Sequence, residues 1–208
     1  LARLLLVRHG NTKLNSGQRF WGRTDVELSE EGIWQAEKMR DRLAGEDIGV
    51  IYSSSLRRAR VTAEIIAAKH KAKVFISDEL REIDFGLIEG LTFAEISERY
   101  PDVARVLSDR TSHPHFPQGE SHEDFNQRIL SFLPRLEKHS EDETVIVVAH
   151  SAVLRMMICN LMGIPVKHWR QFRINLGSLS IVETYDEVAI LNLFNDVSHL
   201  TPDRPQSG

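Results

Sequence analysis

The sequence predicts an α/β protein of three layers, with helices covering both faces of a mostly parallel central sheet. Two observations carry this prediction. Short apolar runs of strand length recur along the 208 residues, and most of them are separated by segments with helical spacing and capping residues. Alternation of that kind sets strands side by side and parallel, with the helices packed against both faces.

Residues 3–8 open the chain as a strand. The apolar run Leu4-Leu5-Leu6-Val7 ends on Arg8, His9 and Gly10. Ser29 caps a first helix, Glu30 and Glu31 suit its positive end, and Gly45 closes it. Ile33, Ala36, Met39 and Leu43 form its expected apolar stripe. Residues 48–53 are a second strand. The helix after it, from about Leu56 to Lys69, is free of Gly and Pro. A third strand covers 73–76, and Thr92 with Glu95 makes a capping box for a short helix. Ser121 caps a further helix with Phe125, Ile129, Phe132 and Leu136 on one face, which Pro134 is expected to kink or end. Residues 144–149 repeat the opening pattern, an apolar run ending on His150. The helix from Ser151 to Met162 stops at Gly163, with Pro165 behind it. Residues 179–194 read as a hairpin turning near Asp186, either a core strand pair or the edge of a homodimer. Between Tyr100 and Glu120, Pro101, Pro114, Pro117 and Gly119 break any periodicity. Residues 101–120 are therefore expected to form an excursion that serves as lid or wall to a site.

The length suits one domain over residues 1–208 with no linker. A net charge of −4, with acids and bases interspersed, argues against a nucleic-acid partner. No apolar run reaches membrane-spanning length, so no membrane partner is expected. The single cysteine, Cys159, sits among apolar residues as a core thiol. One cysteine and no secretory pattern at the first residues predict a cytoplasmic location.

Ligands in open α/β sheets collect at the carboxyl ends of the strands, where this chain puts Arg8, His9 and His150. Arg57, Arg58 and Arg60 crowd a helix start, an arrangement that an anion would relieve. Carboxylates lie among apolar residues in the stretch from Leu80 to Gly90. A carboxyl against apolar surface suits a general acid. Together these parts make a phosphoryl-transfer site: an imidazole can attack phosphorus, while arginines and a protonated second histidine neutralise the oxygens without Mg²⁺. There is no Gly-rich phosphate loop with its lysine and no zinc-type ligand spacing. His113 and His115, flanking Pro114, are the one weak metal-like pair and read as part of an exposed loop. Neither metal nor cofactor is expected.

These segments also resemble the landmarks of the histidine phosphatase superfamily, the phosphoglycerate mutase-like fold, in order and over nearly the whole chain. Arg8-His9-Gly10 with Thr12 and Asn15 is similar to the nucleophile signature, and Gly22-Arg23-Thr24-Asp25 to the segment after it. Tyr52-Ser53-Ser54-Ser55-Leu56 with Arg58-Ala59 and Thr62-Ala63 resembles the stretch bearing a second phosphate-binding arginine, and its register selects Arg58. Leu80, Glu82, Phe85-Gly86 and Glu89-Gly90 match the proton-donor segment. Gly119-Glu120-Ser121 with Arg128 is a further landmark, and Ala149-His150 matches the second histidine, with Ser151 where glycine is common.

The resemblance implies that His9 is the nucleophile, that Arg8, Arg58 and His150 form the anion pocket with Asn15 in support, and that Glu82 serves as acid and then base. Thr12, Gly22, Trp21 and Ser151 are expected at the substrate, with Ser151 capping the helix after it. Trp21, Phe20 and Phe93 are expected in the substrate wall. The segment from Leu91 to Gly119 is short for a mutase. Hydrolysis of a small phosphorylated metabolite is therefore expected, with α-ribazole-5′-phosphate favoured over the substrates of a broad-specificity sugar-phosphate phosphatase. The rivals are a cofactor-dependent phosphoglycerate mutase and a non-catalytic module that reads phosphorylated partners.

Overall fold

The computed structural model describes residues 2–14, 19–109, 112–140, 142–186 and 188–201. Among the described residues six strands form one sheet: β1 (Arg3–Arg8), β2 (Ile48–Ser54), β3 (Lys73–Ser77), β4 (Thr144–Ala149), β5 (Leu179–Thr184) and β6 (Ala189–Asp196). Their order is β3-β2-β4-β1-β5-β6. The first four lie parallel, β5 runs antiparallel to β1, and β6 runs antiparallel to β5.

Successive side chains of a strand point to opposite faces, and here both faces are buried. Leu4 and Leu6 of β1 join Val145, Val147 and Ala149 of β4 in one core. Leu5 and Val7 join Ile146 and Val148 in the other. Helices α1 (Glu30–Arg42) and α2 (Arg57–Ala67) cover the second core with Met39, Ala59, Ala63 and Ile66. Helices α3 (Phe93–Arg99), α4 (Pro101–Ser108), α5 (His122–Phe132) and α6 (Ser151–Leu161) contribute to the first, where Phe125, Ile129 and Phe132 of α5 meet Met156 and Met157 of α6. The expected three-layer α/β/α fold with its mostly parallel sheet is what the chain forms.

The β1–β4 pairing positions the site. The strands run in step from Arg3 opposite Thr144 to Arg8 opposite Ala149, so His9 and His150 leave the sheet at the same level.

Local signals hold in most places. Ser29 and Ser121 cap α1 and α5, and both bonds of the Thr92–Glu95 capping box are present. Helix α5 stops at Phe132, and Pro134 lies in the tight turn Leu133–Arg135. Three expectations need correction. Ile33 is 41% exposed, and the buried side of α1 carries Gly32, Gln35, Ala36 and Met39 instead. The helix approaches the chain so closely at Gly32 that a Cβ there would lie 1.9 Å from the Asn11 carbonyl oxygen, which turns Ile33 outward. Residues 101–108 are not irregular but form α4, because Pro101 stands in the first helical turn, where its missing N–H costs nothing. The hairpin is not a core strand pair throughout: β5 is interior, whereas β6 is the edge of the sheet, with Ile190 and Phe194 exposed.

Candidate active site

The two histidines meet beyond the sheet. Their ring centroids are 5.0 Å apart, edge to face, and both rings are buried. His9 Nδ1 lies 2.7 Å from its neighbour's carbonyl, that of Gly10. A carbonyl only accepts, so Nδ1 carries the proton and Nε2 keeps a lone pair. Arg58 donates its Nε–H to that Nε2 over 3.3 Å. Gly10 is required here, since a Cβ would sit 2.3 Å from the Gly32 carbonyl oxygen.

His150 Nε2 lies 2.8 Å from Ser54 Oγ at the end of β2. That hydroxyl accepts from the Leu56 amide, so its own hydrogen can go to His150 Nε2. The proton of a neutral ring then sits on Nδ1, which has no hydrogen-bond partner among the described residues.

Arg58, in the first turn of α2, also donates to the Thr24 carbonyl at 2.7 Å and the Gly22 carbonyl at 2.6 Å. Arg8 donates to the Ile174 carbonyl at 2.6 Å, and its Nε has no partner among the described residues. Arg57 and Arg60 face outward, paired with Glu27 and Glu64. Of the three clustered arginines only Arg58, at 3% exposure, joins the histidines.

Burial dominates the electrostatics. It lowers the Arg8 pKa from the ordinary 12.5 to about 10, with Glu82 opposing the shift. Burial, then the Arg58 and Arg8 charges, holds both imidazoles well below the usual 6.5. Burial thus works against the expected protonated second histidine and favours neutral rings beside the two guanidinium groups. A neutral His150 can still donate from Nδ1.

Glu82 lies in the loop after the turn Asp78–Leu80, 8% exposed. It accepts from the Ile83 amide at 3.0 Å and from the Ala152 amide, in the first turn of α6, at 3.3 Å. The positive end of α6 faces its carboxylate. Glu82 lines a cavity of about 450 Å³ with Phe20, Phe85, Phe93, Ser151 and Arg155. A larger cleft, of about 610 Å³, opens beside Leu4, Leu133 and Tyr185, towards the opposite end of β1 from His9.

The other expected site residues are placed differently. Gly22 does not line the cavity; its carbonyl holds Arg58, and a Cβ would lie 2.3 Å from the Ile83 carbonyl oxygen. Trp21 is also outside the lining, and its indole N–H is spent on the Leu14 carbonyl at 2.9 Å. Thr12 is buried in an isolated bridge to Leu28, where its amide bonds Asn11 Oδ1. Ser151 lines the cavity, yet it is the first residue of α6 rather than its cap, and its hydroxyl has no partner among the described residues. Asn15 lies outside the described residues.

Two supporting carboxylates were not singled out as site residues. Glu89 Oε1 accepts from the Gly22 amide, the Thr24 amide and the Thr24 hydroxyl, so it holds the loop that holds Arg58. Glu120 pairs with Arg128 at 2.6 Å, and Arg128 also donates to the carbonyls of Glu79 and Arg81, fixing the segment before Glu82. Both carboxylates lie in the segments that carry the resemblance.

The model of the histidine phosphatase superfamily (branch 1) matches residues 4–197. The chain belongs to that superfamily. Among relatives, phosphoserine phosphatase 1 of Hydrogenobacter thermophilus is 32% identical over 96% of this chain and 95% of its own length. A protein of Erwinia tasmaniensis named "Probable phosphoglycerate mutase" is 30% identical over 96% of this chain and 95% of its own. The crystal structure of the α-ribazole phosphatase from Shigella flexneri superposes with a TM-score of 0.85 at 27% identity, covering 93% of this chain and 96% of that one. This superfamily member is a phosphoric monoester hydrolase, and no helix among its described residues is long and apolar enough to cross a membrane.

Proposed function

We propose that this histidine phosphatase hydrolyses its substrate through a phosphohistidine on His9. The observation that carries the proposal is the His9 ring: its proton is committed to Gly10, and its Nε2 lone pair lies beside Arg58. Nε2 bonds to phosphorus as the ester P–O bond breaks. Glu82, in its acid form, gives its proton to the departing alcohol oxygen. Water then attacks phosphorus, the N–P bond breaks, and the water's proton returns to Glu82. Arg8, Arg58 and His150 Nδ1–H stabilise the equatorial oxygens throughout. No step calls on a metal.

The wall supports a substrate class. Phe20, Phe85, Phe93, Phe116 and Trp169 all line the cavity, a surface suited to a flat ring. A cavity of this volume also holds more than a phosphate group. We therefore assign a phosphomonoester whose alcohol carries an aromatic base, with α-ribazole-5′-phosphate as the specific candidate. Residues 112–116 serve as part of that wall. A single buried thiol, pushed up to about 11 by burial, suits a reducing cytoplasm.

The test combines labelling with a substrate panel. Enzyme quenched in denaturant at alkaline pH should retain labelled phosphate, and His9→Ala should retain none. Release from α-ribazole-5′-phosphate should exceed release from phosphoserine and simple sugar phosphates. Label on the His9→Ala chain would overturn the intermediate. A preference for phosphoserine would overturn the substrate. Isomerisation of 3-phosphoglycerate without phosphate release would turn the reading to a mutase.

A further inference from the structure

Outside the phosphate cradle, His113, His122 and Glu123 bring one ligand atom each to within 4.8 Å of one another. In tetrahedral zinc sites, with bonds of about 2.0–2.2 Å, neighbouring ligand atoms lie roughly 3.4 Å apart. The cluster thus needs a contraction of about an ångström, well within the reach of the exposed His113 and Glu123 side chains.

His122 supplies the observation that points to a ligand. The residue is 3% exposed, and its ring is hydrogen-bonded to the Val166 backbone. Its Nε2 has no partner among the described residues. Metal-binding imidazoles are held in this way, one nitrogen fixed on a backbone carbonyl and the other aimed at the ion.

The remaining ligands are already gathered beside the His122 ring. The His113 ring lies 4.3 Å from the His122 ring, and its Nδ1 is 3.6 Å from Glu123 Oε1. The Glu123 carboxylate offsets the positive end of α5, in whose first turn it stands.

We propose that His113, His122 and Glu123 bind one divalent transition-metal ion of the zinc class, with water as the fourth ligand. The ion clamps the segment from Ser112 to Phe116 onto α5. Pro114, next to His113, and Trp169, whose ring is 6.5 Å from that of His122, both line the cavity. The clamp therefore sets the shape of the substrate wall without entering the phosphate cradle. It does not depend on the identity of the substrate.

Equilibrium dialysis of chelator-stripped protein against Zn²⁺ tests the proposal. One ion per chain is expected, with affinity reduced about 10–100-fold or more by His113→Ala and by Glu123→Gln. Both side chains are exposed, so both variants should fold. His9→Gln should bind Zn²⁺ as the wild type does. Failure to take up zinc, uptake unchanged in His113→Ala, or uptake lost in His9→Gln would each overturn it. The last outcome would place the ion on the catalytic histidines.

Discussion

The proposed phosphate cradle and the wall of the cleft are held by different means. In the cradle, polar side chains are tied to backbone or to strand ends: His9 to Gly10, Arg58 to Gly22 and Thr24, His150 to Ser54. In the wall, Phe20, Phe85 and Phe116 come from separate stretches and meet ring to ring, at centroid distances of 5.4 and 5.0 Å. His150 is fully buried, whereas Phe93 is 44% exposed. Directional hydrogen bonds tolerate little displacement, while apolar contacts of similar volume can be exchanged. The division suits a family in which one reaction serves relatives named for phosphoserine and for α-ribazole.

The sharpest way to break this division is at Glu82, where cradle and wall meet. Glu82→Gln should lower kcat about 10²–10⁴-fold on an alkyl phosphate. On p-nitrophenyl phosphate, whose leaving group departs without a proton, the loss should be much smaller. Steady-state rates on the two substrates check this. Equal losses would remove Glu82 from the role of acid.

The same division explains what could be read from the sequence. Two apolar strands, each ending in a histidine, announced the sheet, and parallel pairing of β1 with β4 was enough to bring His9 and His150 together. Spacing alone could not separate Arg58 from Arg57 and Arg60; burial does, because only Arg58 points towards the histidines. What escaped depends on tertiary contact. Trp21 looks like a wall residue in sequence, but its indole turns to the Leu14 carbonyl. Glu89 acts through backbone amides of a distant loop, and acceptors of that kind leave no periodic trace. His113 pairs with His122 rather than with His115 because the chain doubles back, with His115 bridged to Ser121.

If the cradle is rigid because its backbone is held, then removing a holder should act like removing a weak catalytic group. Glu89→Ala frees the amides of Gly22 and Thr24 and with them the two carbonyls that fix Arg58. A misplacement of an ångström costs on the order of 10²-fold in rate. We expect kcat to fall about 10–100-fold with little change in KM, and Glu89→Gln, which keeps an acceptor oxygen, to recover most of it. A KM effect alone would place Glu89 in the wall.

Burying neutral histidines also leaves a signature in stability. The folded-state pKa values of His9 and His150 lie below the unfolded 6.5, so below that pH the unfolded chain binds more protons. The two rings cost the fold nothing above pH 6.5 and destabilise it progressively as pH falls below that value. By pH 5.5 each ring should destabilise the fold by about 1 kcal/mol relative to pH 7.5. His122 and His199, also lowered by burial, add in the same direction. Urea unfolding at the two pH values measures the sum, and His150→Gln should reduce the difference. An unchanged difference would mean that His150 titrates normally in the folded protein.

The smallest effect is expected in the wall. Phe93 sits in the first turn of α3, nearly half exposed, and its ring lines the cavity. Its truncation therefore leaves the core intact and removes one aromatic face from the cleft. An aromatic pair is worth about 0.5–1.5 kcal/mol beyond burial, which corresponds to a rise in KM of roughly 2–10-fold for an ester carrying a base. For phosphoserine, which has no ring to stack, KM should stay the same, and kcat should hold for both because Phe93 makes none of the cradle's hydrogen bonds. Steady-state kinetics of Phe93→Ala on the two substrates decides the matter. Equal changes on both would mean that the ring shapes the cleft without reading the base, and a fall in kcat would show that wall and cradle are coupled after all.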